Sequence, residues 1–315
     1  MKKLAVSAAG VVGLTAALAC ASSIAIGSAA AASSNAACPS GTINFAVEPY
    51  DTGPALEKAY KSVATDLGQK LGCTVNLIIS NSYVAEIDSM AAGHIQMGEF
   101  GPLGYILASK LADAQPIAAF GDKNGKPDTY TAGIWVKKGS PITSVKQLKG
   151  KTLALSSTTS TSGGLYPISA LVNAGLKCSI SQASGGSCAG VKIKWTGGHP
   201  QDLLALTNGT VDAAEINSQE QFSATAAHQF KAAGYREIWK SSTIVNDPIA
   251  VNGKLGAAFA GKVKSALLSL SAKQTSTVDT ELGTKNNGPM VSASNTLYAP
   301  VRAVANALNL KPGDL

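Results

Sequence analysis

The sequence predicts an α/β protein built from two open sheets with helices on their faces, the chain crossing between two lobes twice. Three observations predict it. Strand-like and helix-like segments alternate from residue 42 onward. Hydrophobic residues make up 45% of the 315 and charged residues only 14%, against about 25% charged in an average globular chain. The turns that leave the strands are rich in Ser, Thr and Gly, the composition from which open α/β sheets build ligand loops.

The first unit opens with a strand over Ile43–Val47 and a helix over Pro54–Leu71, whose Leu56, Tyr60, Val63, Ala64, Leu67 and Leu71 share one face. Next come a strand over Val75–Ile79, a helix over Val84–Ala92 stopped by Gly93, and a short strand over Gln96–Glu99. A helix over Leu103–Leu111, entered through Gly101-Pro102, precedes strands over Ile117–Phe120 and Tyr130–Val136. In the second unit Leu148 and Gly150 close a short helix. Strands over Thr152–Leu155, Val191–Trp195, Val211–Glu215 and Glu237–Ser241 alternate with helices over Gly164–Asn173, Pro200–Asn208 and Phe222–Ala233. A strand over Pro248–Val251, a long helix over Gly256–Ser271 and a last helix over Val301–Leu308 complete the chain. The crossings fall near Tyr130–Trp135 and Ser241–Asp247, so lobe one takes residues 37–130 and 246–315 and lobe two residues 131–245. Such a layout leaves a cleft that can close on a small ligand.

Charge excludes some functions. The formal net charge is +7, yet Arg236 and Arg302 are the only arginines and no Lys/Arg-dense arm exists. Nucleic acid is therefore not an expected partner. High apolar content with little charge per residue argues against disorder. The single long apolar stretch lies at the N-terminus, which argues against a multipass membrane protein.

Residues 1–36 read as an export signal: Lys2 and Lys3, an apolar run over Leu4–Ala19, and small-residue cleavage sites over Ala29–Ala32. Ala17-Leu18-Ala19-Cys20 loosely resembles a lipobox, so free secretion and acylation at Cys20 both stay open. The four other cysteines suit disulfides in an exported protein. Cys178 and Cys188 flank a Ser/Gly-rich loop and can staple it locally. Cys38 and Cys73 each precede a strand, and the starts of neighbouring parallel strands lie close together. No CxxC pair exists and the three histidines are scattered, so no metal site is expected.

Two runs carry candidate chemistry. Ser156–Pro167, SSTTSTSGGLYP, follows a strand and opens a helix. Ser160, Thr161 and Ser162 offer hydroxyls, and Gly163 and Gly164 let backbone amides approach a ligand at a helix start. That donor set suits an oxyanion, although a Ser/Thr loop with an ordinary cap has the same composition. Gly197-Gly198-His199-Pro200 also joins a strand to a helix, with His199 at the cap, where it can donate to an anion or simply cap. No GxSxG, HExxH, Walker or SxxK pattern is present, and the expected activity is non-enzymatic.

As an ordered set these runs resemble the substrate-binding proteins of bacterial ABC importers for phosphonate, phosphite or phosphate. The matching stretches are Gly101-Pro102-Leu103-Gly104-Tyr105, Ser160-Thr161-Ser162-Gly163 with Pro167, Gly198-His199, Asn208-Gly209-Thr210-Val211-Asp212-Ala213, and Asp247-Pro248. The resemblance covers about residues 41–315. It implies a two-lobed periplasmic-binding-protein fold, type II-like, that clamps a small phosphorus oxyanion and delivers it to a permease. It further implies no cofactor, a monomer, and a periplasmic or lipid-anchored cell-surface location.

The resemblance also implies a site. Ser160, Thr161, Ser162 and His199 would bind the phosphorus oxygens, with Tyr83, Tyr130 and Asp247 completing the pocket. Gln219, followed by Glu220, stands where aminophosphonate binders carry a second carboxylate, a departure that argues against an ammonium-bearing ligand. Tyr50, in the first strand-to-helix loop, is a further wall candidate, with an exposed turn tyrosine as the alternative. A carboxylate facing an oxyanion repels it unless a proton is shared, so Asp247 would favour a ligand that keeps a P–OH. Two rival readings remain. One is a sibling receptor for a sulfonate, nitrate or thiamine-like ligand. The other is a secreted serine hydrolase using Ser162 near His199.

Overall fold

The computed structural model describes residues 38, 41–51, 53–181, 186–282 and 288–311. The export signal over 1–36 and Cys20 lie outside the described residues. β1 (Thr42–Val47) runs into α1 (Pro54–Leu71), which starts on Pro54 and ends where Gly72 turns left-handed at φ 68°. β2 (Thr74–Ile79), α2 (Tyr83–Ala91), β3 (Met97–Glu99), α3 (Pro102–Leu111) and β4 (Ala114–Ala119) follow. The chain leaves through β5 (Thr129–Tyr130) into β6 (Gly133–Lys137) and β7 (Thr152–Leu155). One π-helical turn (Thr161–Leu165) leads into α4 (Tyr166–Asn173), and the short strands β8 (Cys178–Ser179) and β9 (Ser187–Cys188) follow. β10 (Lys192–Trp195), α5 (His199–Thr207), β11 (Ala213–Glu215), α6 (Ser218–Ala226) and β12 (Tyr235–Lys240) complete the second unit. The chain returns through β13 (Ile244–Val245) to β14 (Pro248–Asn252), α7 (Gly256–Leu268), α8 (Ala272–Glu281), β15 (Val291–Ser292) and α9 (Ala299–Ala307).

Two open sheets result. The first has the order β15-β4-β14-β3-β1-β2 and the second β10-β7-β11-β6-β12. β1 is parallel to β2 and β3, while β14, the strand entered on return, is antiparallel to β3 and β4. The second sheet repeats the device, with β6 antiparallel to β11 and β12. The two crossings also pair with each other, Ile244 opposite Tyr130, so the hinge is a two-stranded ribbon.

The apolar faces explain the layering. Phe45, Leu56, Tyr60, Val63 and Phe259 are buried between the first sheet and α1, α7 and α8. Each such side chain contributes about 1.5–3 kcal/mol by leaving water. A second cluster runs without a break from Phe100, Leu103 and Tyr105 through Tyr130 to Leu165 and Ile168, spanning both sheets. Disulfides join Cys38 to Cys73 and Cys178 to Cys188. The first ties the starts of parallel neighbours, since Thr42 sits opposite Thr74. The second closes the β8–β9 pair, where Cys178 faces Cys188.

Three elements depart from the sequence-based expectation. The Tyr130–Val136 strand splits into β5 and β6, because the chain changes sheets there. The Gly256–Ser271 helix stops at Leu268, and Ser271 starts a new helix through a capping box with Gln274. The helix expected over Phe222–Ala233 spans Ser218–Ala226 instead. Asn217 begins it by accepting from the Gln219 and Glu220 amides, and the chain turns left-handed at His228, φ 60°. These last two shifts move Gln219, Glu220, Ser223 and Glu281 to the cleft.

Candidate functional site

The loop after β7 is built around absent side chains. A Cβ on Gly163 would meet Ser156 Oγ at 2.2 Å and His199 Cε1 at 2.9 Å; one on Gly164 would meet the Ser157 carbonyl oxygen at 2.1 Å. The tight turn this permits presents three consecutive hydroxyls. Ser160 Oγ accepts from the Gly163 amide at 3.2 Å. Thr161 Oγ1 accepts from the Leu103 amide at 2.9 Å. Ser162 Oγ accepts from Asn217 Nδ2 at 3.2 Å. A hydroxyl has one proton to give and two lone pairs. With a protein donor already on each oxygen, the hydroxyls have protons to donate, and Ser160 and Thr161 also face the Tyr83 and Tyr130 hydroxyls.

His199 enters from the start of α5, where Gly198 rather than His199 is the cap residue. Its Nδ1 lies 2.8 Å from Glu215 Oε2 and 3.0 Å from Ser156 Oγ. Ser156 donates to Asp202 Oδ2 at 2.6 Å, and Thr196 to Asp202 Oδ1 at 2.6 Å. Burial disfavours the imidazolium, but the Glu215 charge and hydrogen bond, with Asp202 and Glu220, outweigh it and raise His199 to about 9. His199 is thus a cation anchored through Nδ1, which leaves Nε2 for a ligand. The same contacts argue against a nucleophilic serine: Ser156, the serine at His199, gives its proton to Asp202.

The opposite wall comes from the first sheet and the hinge. Glu48, just past β1, accepts the Gly101 amide on Oε2 at 2.5 Å. Among the described residues Asp247 receives no partner on its buried Oδ1. Together these groups enclose a cavity in which about 30 Å³ is open to the centre of a water molecule. Ser160, Thr161, Ser162, His199, Tyr130, Asp247, Tyr50 and Gln219, all singled out from sequence, line it. Tyr83 does not; it is buried behind Ser160, faces that hydroxyl, and lines an outer groove with Ser156–Thr158 and Trp195–Gly197.

Sequence reasoning missed Glu48, Asp51, Asn217, Glu220, Ser223, Glu281 and Leu282 on the wall. Glu220 lines the cavity beside Gln219, so a carboxyl stands next to the position where aminophosphonate binders carry one. Gln219 meanwhile donates to Asn246 Oδ1 at 3.3 Å, reaching from α6 to the return crossing. A signal for some of these was present. Glu48, Glu99 and Glu215 stand at the carboxyl ends of β1, β3 and β11, where open α/β sheets place ligand groups.

Burial raises the pKa values of these acids. Desolvation raises Glu48 to about 7, with the Gly101 amide and His199 pulling back. Burial likewise raises Glu220 to about 7 against His199. Glu99, behind the wall, rises to about 8 by burial, eased by the nearby Tyr60 hydroxyl and increased by Glu48. Asp247 is pushed well up by burial and then by Glu48 and Glu99.

The chain is similar to known proteins in sequence and in fold. Residues 45–295 match the model of the family described as the periplasmic substrate-binding protein of the phosphonate ABC transporter. The chain is 29% identical to the phosphate-import protein PhnD of Mycolicibacterium smegmatis over 227 residues, 71% of this chain and 70% of that one. It is 26% identical to the phosphonates-binding periplasmic protein of Escherichia coli over 211 residues, 66% of this chain and 60% of that one. The fold is shared with the solved structure of PhnD1 from Prochlorococcus marinus in complex with methylphosphonate. The TM-score there is 0.70 at 20% identity, covering 86% of this chain and 99% of that one.

Proposed function

The chain belongs to the family of periplasmic substrate-binding proteins of phosphonate ABC transporters, and from that premise we propose that its cleft captures a small phosphorus oxyanion for a membrane permease. It is a non-catalytic, exported transport component. The observation that carries the ligand assignment is the Ser160-Thr161-Ser162 row, three hydroxyls that each already accept one protein donor, beside the His199 cation. In this reading the row and His199 hold the phosphorus oxygens. Asp247, Tyr130, Tyr50 and Gln219 form the facing wall, and Tyr83 supports Ser160 from behind. Residues 37–130 with 246–315 form one lobe and 131–245 the other, closing about the β5–β13 ribbon.

The ligand class follows from size and charge. The narrow cavity, with about 30 Å³ open to the centre of a water molecule, suits phosphite, methylphosphonate or phosphate better than a bulky organic ligand. Its carboxyls favour a ligand that can share a proton, which a sulfonate or nitrate cannot supply near neutral pH. The named ligands of the relatives, phosphate in one and methylphosphonate in another, fall in the same class. The protein acts as a monomer, released freely or anchored by acylated Cys20; mass measurement of the mature chain separates the two routes. Calorimetry with phosphite, methylphosphonate, 2-aminoethylphosphonate and phosphate tests the ligand. Binding of methanesulfonate or nitrate with none of these four would sink the assignment.

A further inference from the structure

Resting on that reading, we infer that Glu48 is a specificity-determining carboxyl, and that an oxyanion enters this cavity together with protons shared among Glu48, Asp247 and the ligand. The composition of the wall is the first reason. Among the described lining residues Glu48, Asp51, Glu220, Asp247 and Glu281 are acids, His199 is the one basic group, and no Lys or Arg takes part. An anion set among ionised carboxylates is repelled, and burial strengthens the repulsion. One imidazolium, already paired with Glu215 at 2.8 Å, does not neutralise that set.

Geometry singles out Glu48 within it. The residue is 5% exposed, and the Gly101 amide on Oε2 is its one side-chain hydrogen bond among the described residues. Oε1 is left for a ligand. Asp247, 6% exposed, lines the same cavity with Oδ1 unpartnered among the described residues. Two buried carboxyls that each face a site with one oxygen left open are arranged to hold or take protons from what binds there.

The groups around Glu48 set the direction of the pH effect. The first lobe contributes Tyr50 and Asp51 after β1, Tyr60 on α1, Tyr83 and Glu86 on α2, Glu99 on β3 and Glu281 on α8. The hinge contributes Tyr130 and Asp247, and Tyr298 lies behind them. The second lobe contributes His199 and Asp202 on α5, Glu215 on β11 and Glu220 on α6. The tyrosines are all pushed up by burial and stay neutral. Glu48 and Glu220 gain charge as pH passes about 7, and His199 loses it as pH passes about 9. Every one of these changes opposes an anion as pH rises.

The proton balance is simple. A neutral Glu48 donates its O–H to a phosphorus oxygen; an ionised Glu48 accepts from a P–OH. Either way the complex holds one proton between the two oxygens, drawn from solvent when both partners begin ionised. A sulfonate brings no proton, so an ionised Glu48 disfavours it, and the discrimination grows as pH passes about 7.

Calorimetry on the mature protein with methylphosphonate, in two buffers of different ionisation enthalpy near pH 8, measures this uptake. Wild type is expected to take up on the order of one proton and to lose affinity by up to about ten-fold per pH unit above neutrality. In Glu48→Gln the uptake and the slope both fall, and the ratio of methylphosphonate to methanesulfonate affinity falls by about ten-fold. Comparing proteins with one ligand removes the ligand's own ionisation. Asp247→Asn, measured alongside, is expected to lower uptake too and carries the test if Glu48→Gln does not fold. Equal uptake in wild type and both variants overturns the inference. Failure of every phosphorus oxyanion to bind from about pH 6 to about pH 9 sinks the ligand reading instead.

Discussion

The Leu103 backbone amide donates to Thr161 Oγ1 at 2.9 Å, tying the start of α3 on the first sheet to the π-helical turn on the second. One side chain thus joins the lobes and still has a proton to donate. Removing the hydroxyl breaks both functions. Thr161→Val is expected to weaken phosphite or methylphosphonate binding by about 1–3 kcal/mol, the scale of a lost hydrogen bond to a charged partner. It also leaves the Leu103 amide unpaired, so the ligand-free melting temperature falls as well. Thr161→Ser restores most of both in calorimetry and thermal melts.

His199 is held by Glu215, and the pair has a definite pH signature. His199→Ala is expected to weaken oxyanion binding by about 1–3 kcal/mol. Glu215→Gln removes the main support of the cation and lets burial lower the imidazole. Titrating binding against pH then shows the histidine-dependent part lost well below pH 9. A histidine NMR titration unchanged from wild type would refute this linkage.

Gly163→Ala tests the close packing of the donor loop. The new methyl must displace Ser156 Oγ, 2.2 Å away, or His199 Cε1, 2.9 Å away. Overpacking of this kind costs about 1–3 kcal/mol. Binding should fall further than stability, because both displaced groups position the site. Gly175→Ala, where open space surrounds the Cβ but φ is +86°, should instead lose stability without the same loss of affinity.

Stability itself should fall as pH rises. Glu48, Glu220 and Glu99 sit at about 7, 7 and 8 when folded, against 4.5 unfolded. Their pKa values are raised, so the native state binds more protons than the unfolded chain between those limits, and stability declines with pH there. His199, raised from 6.5 to about 9, contributes stability below 6.5 that is lost through about 9. Both trends have one sign. Melts of ligand-free protein should show a lower melting temperature at pH 8.5 than at pH 5.5, with a shallower decline in Glu99→Gln.

The two disulfides should differ in weight. Cys38–Cys73 closes 35 residues and Cys178–Cys188 closes 10. On chain entropy these constrain the unfolded state by about 4 and about 3 kcal/mol respectively. Cys38→Ser with Cys73→Ser should therefore lower the melting temperature more than the Cys178→Ser, Cys188→Ser double variant. The reverse order in scanning calorimetry would count against that account.

Much of the fold was legible because local signals agree with it. Pro54 and Gly72 bracket α1, and the alternation of Ile43, Phe45 and Val47 marks a half-buried strand. The donor loop was legible as a tight strand-to-helix turn, since Ser, Thr and Gly after a strand suit either a cap or a ligand loop. The start of α6 was misplaced because Asn217 as a cap was overlooked, and with it went the placement of Glu220 and Ser223. The Ser271–Gln274 capping box was overlooked in the same way, which hid α8 and Glu281.

The sequence by itself determined most of the strands and helices, where the chain changes sheets, and which loop has the residue types to donate to an anion. These depend on periodicity, caps and residue type, all of which act over a few residues. Only the tertiary structure decided the charge of the cavity. Glu48, Glu99, Glu220 and Asp247 are far apart in the chain and read singly as ordinary acids. Folding brings them into one water-poor space beside His199. Whether a carboxyl is ionised depends on its desolvation and its neighbours, and both are properties of the assembled cleft.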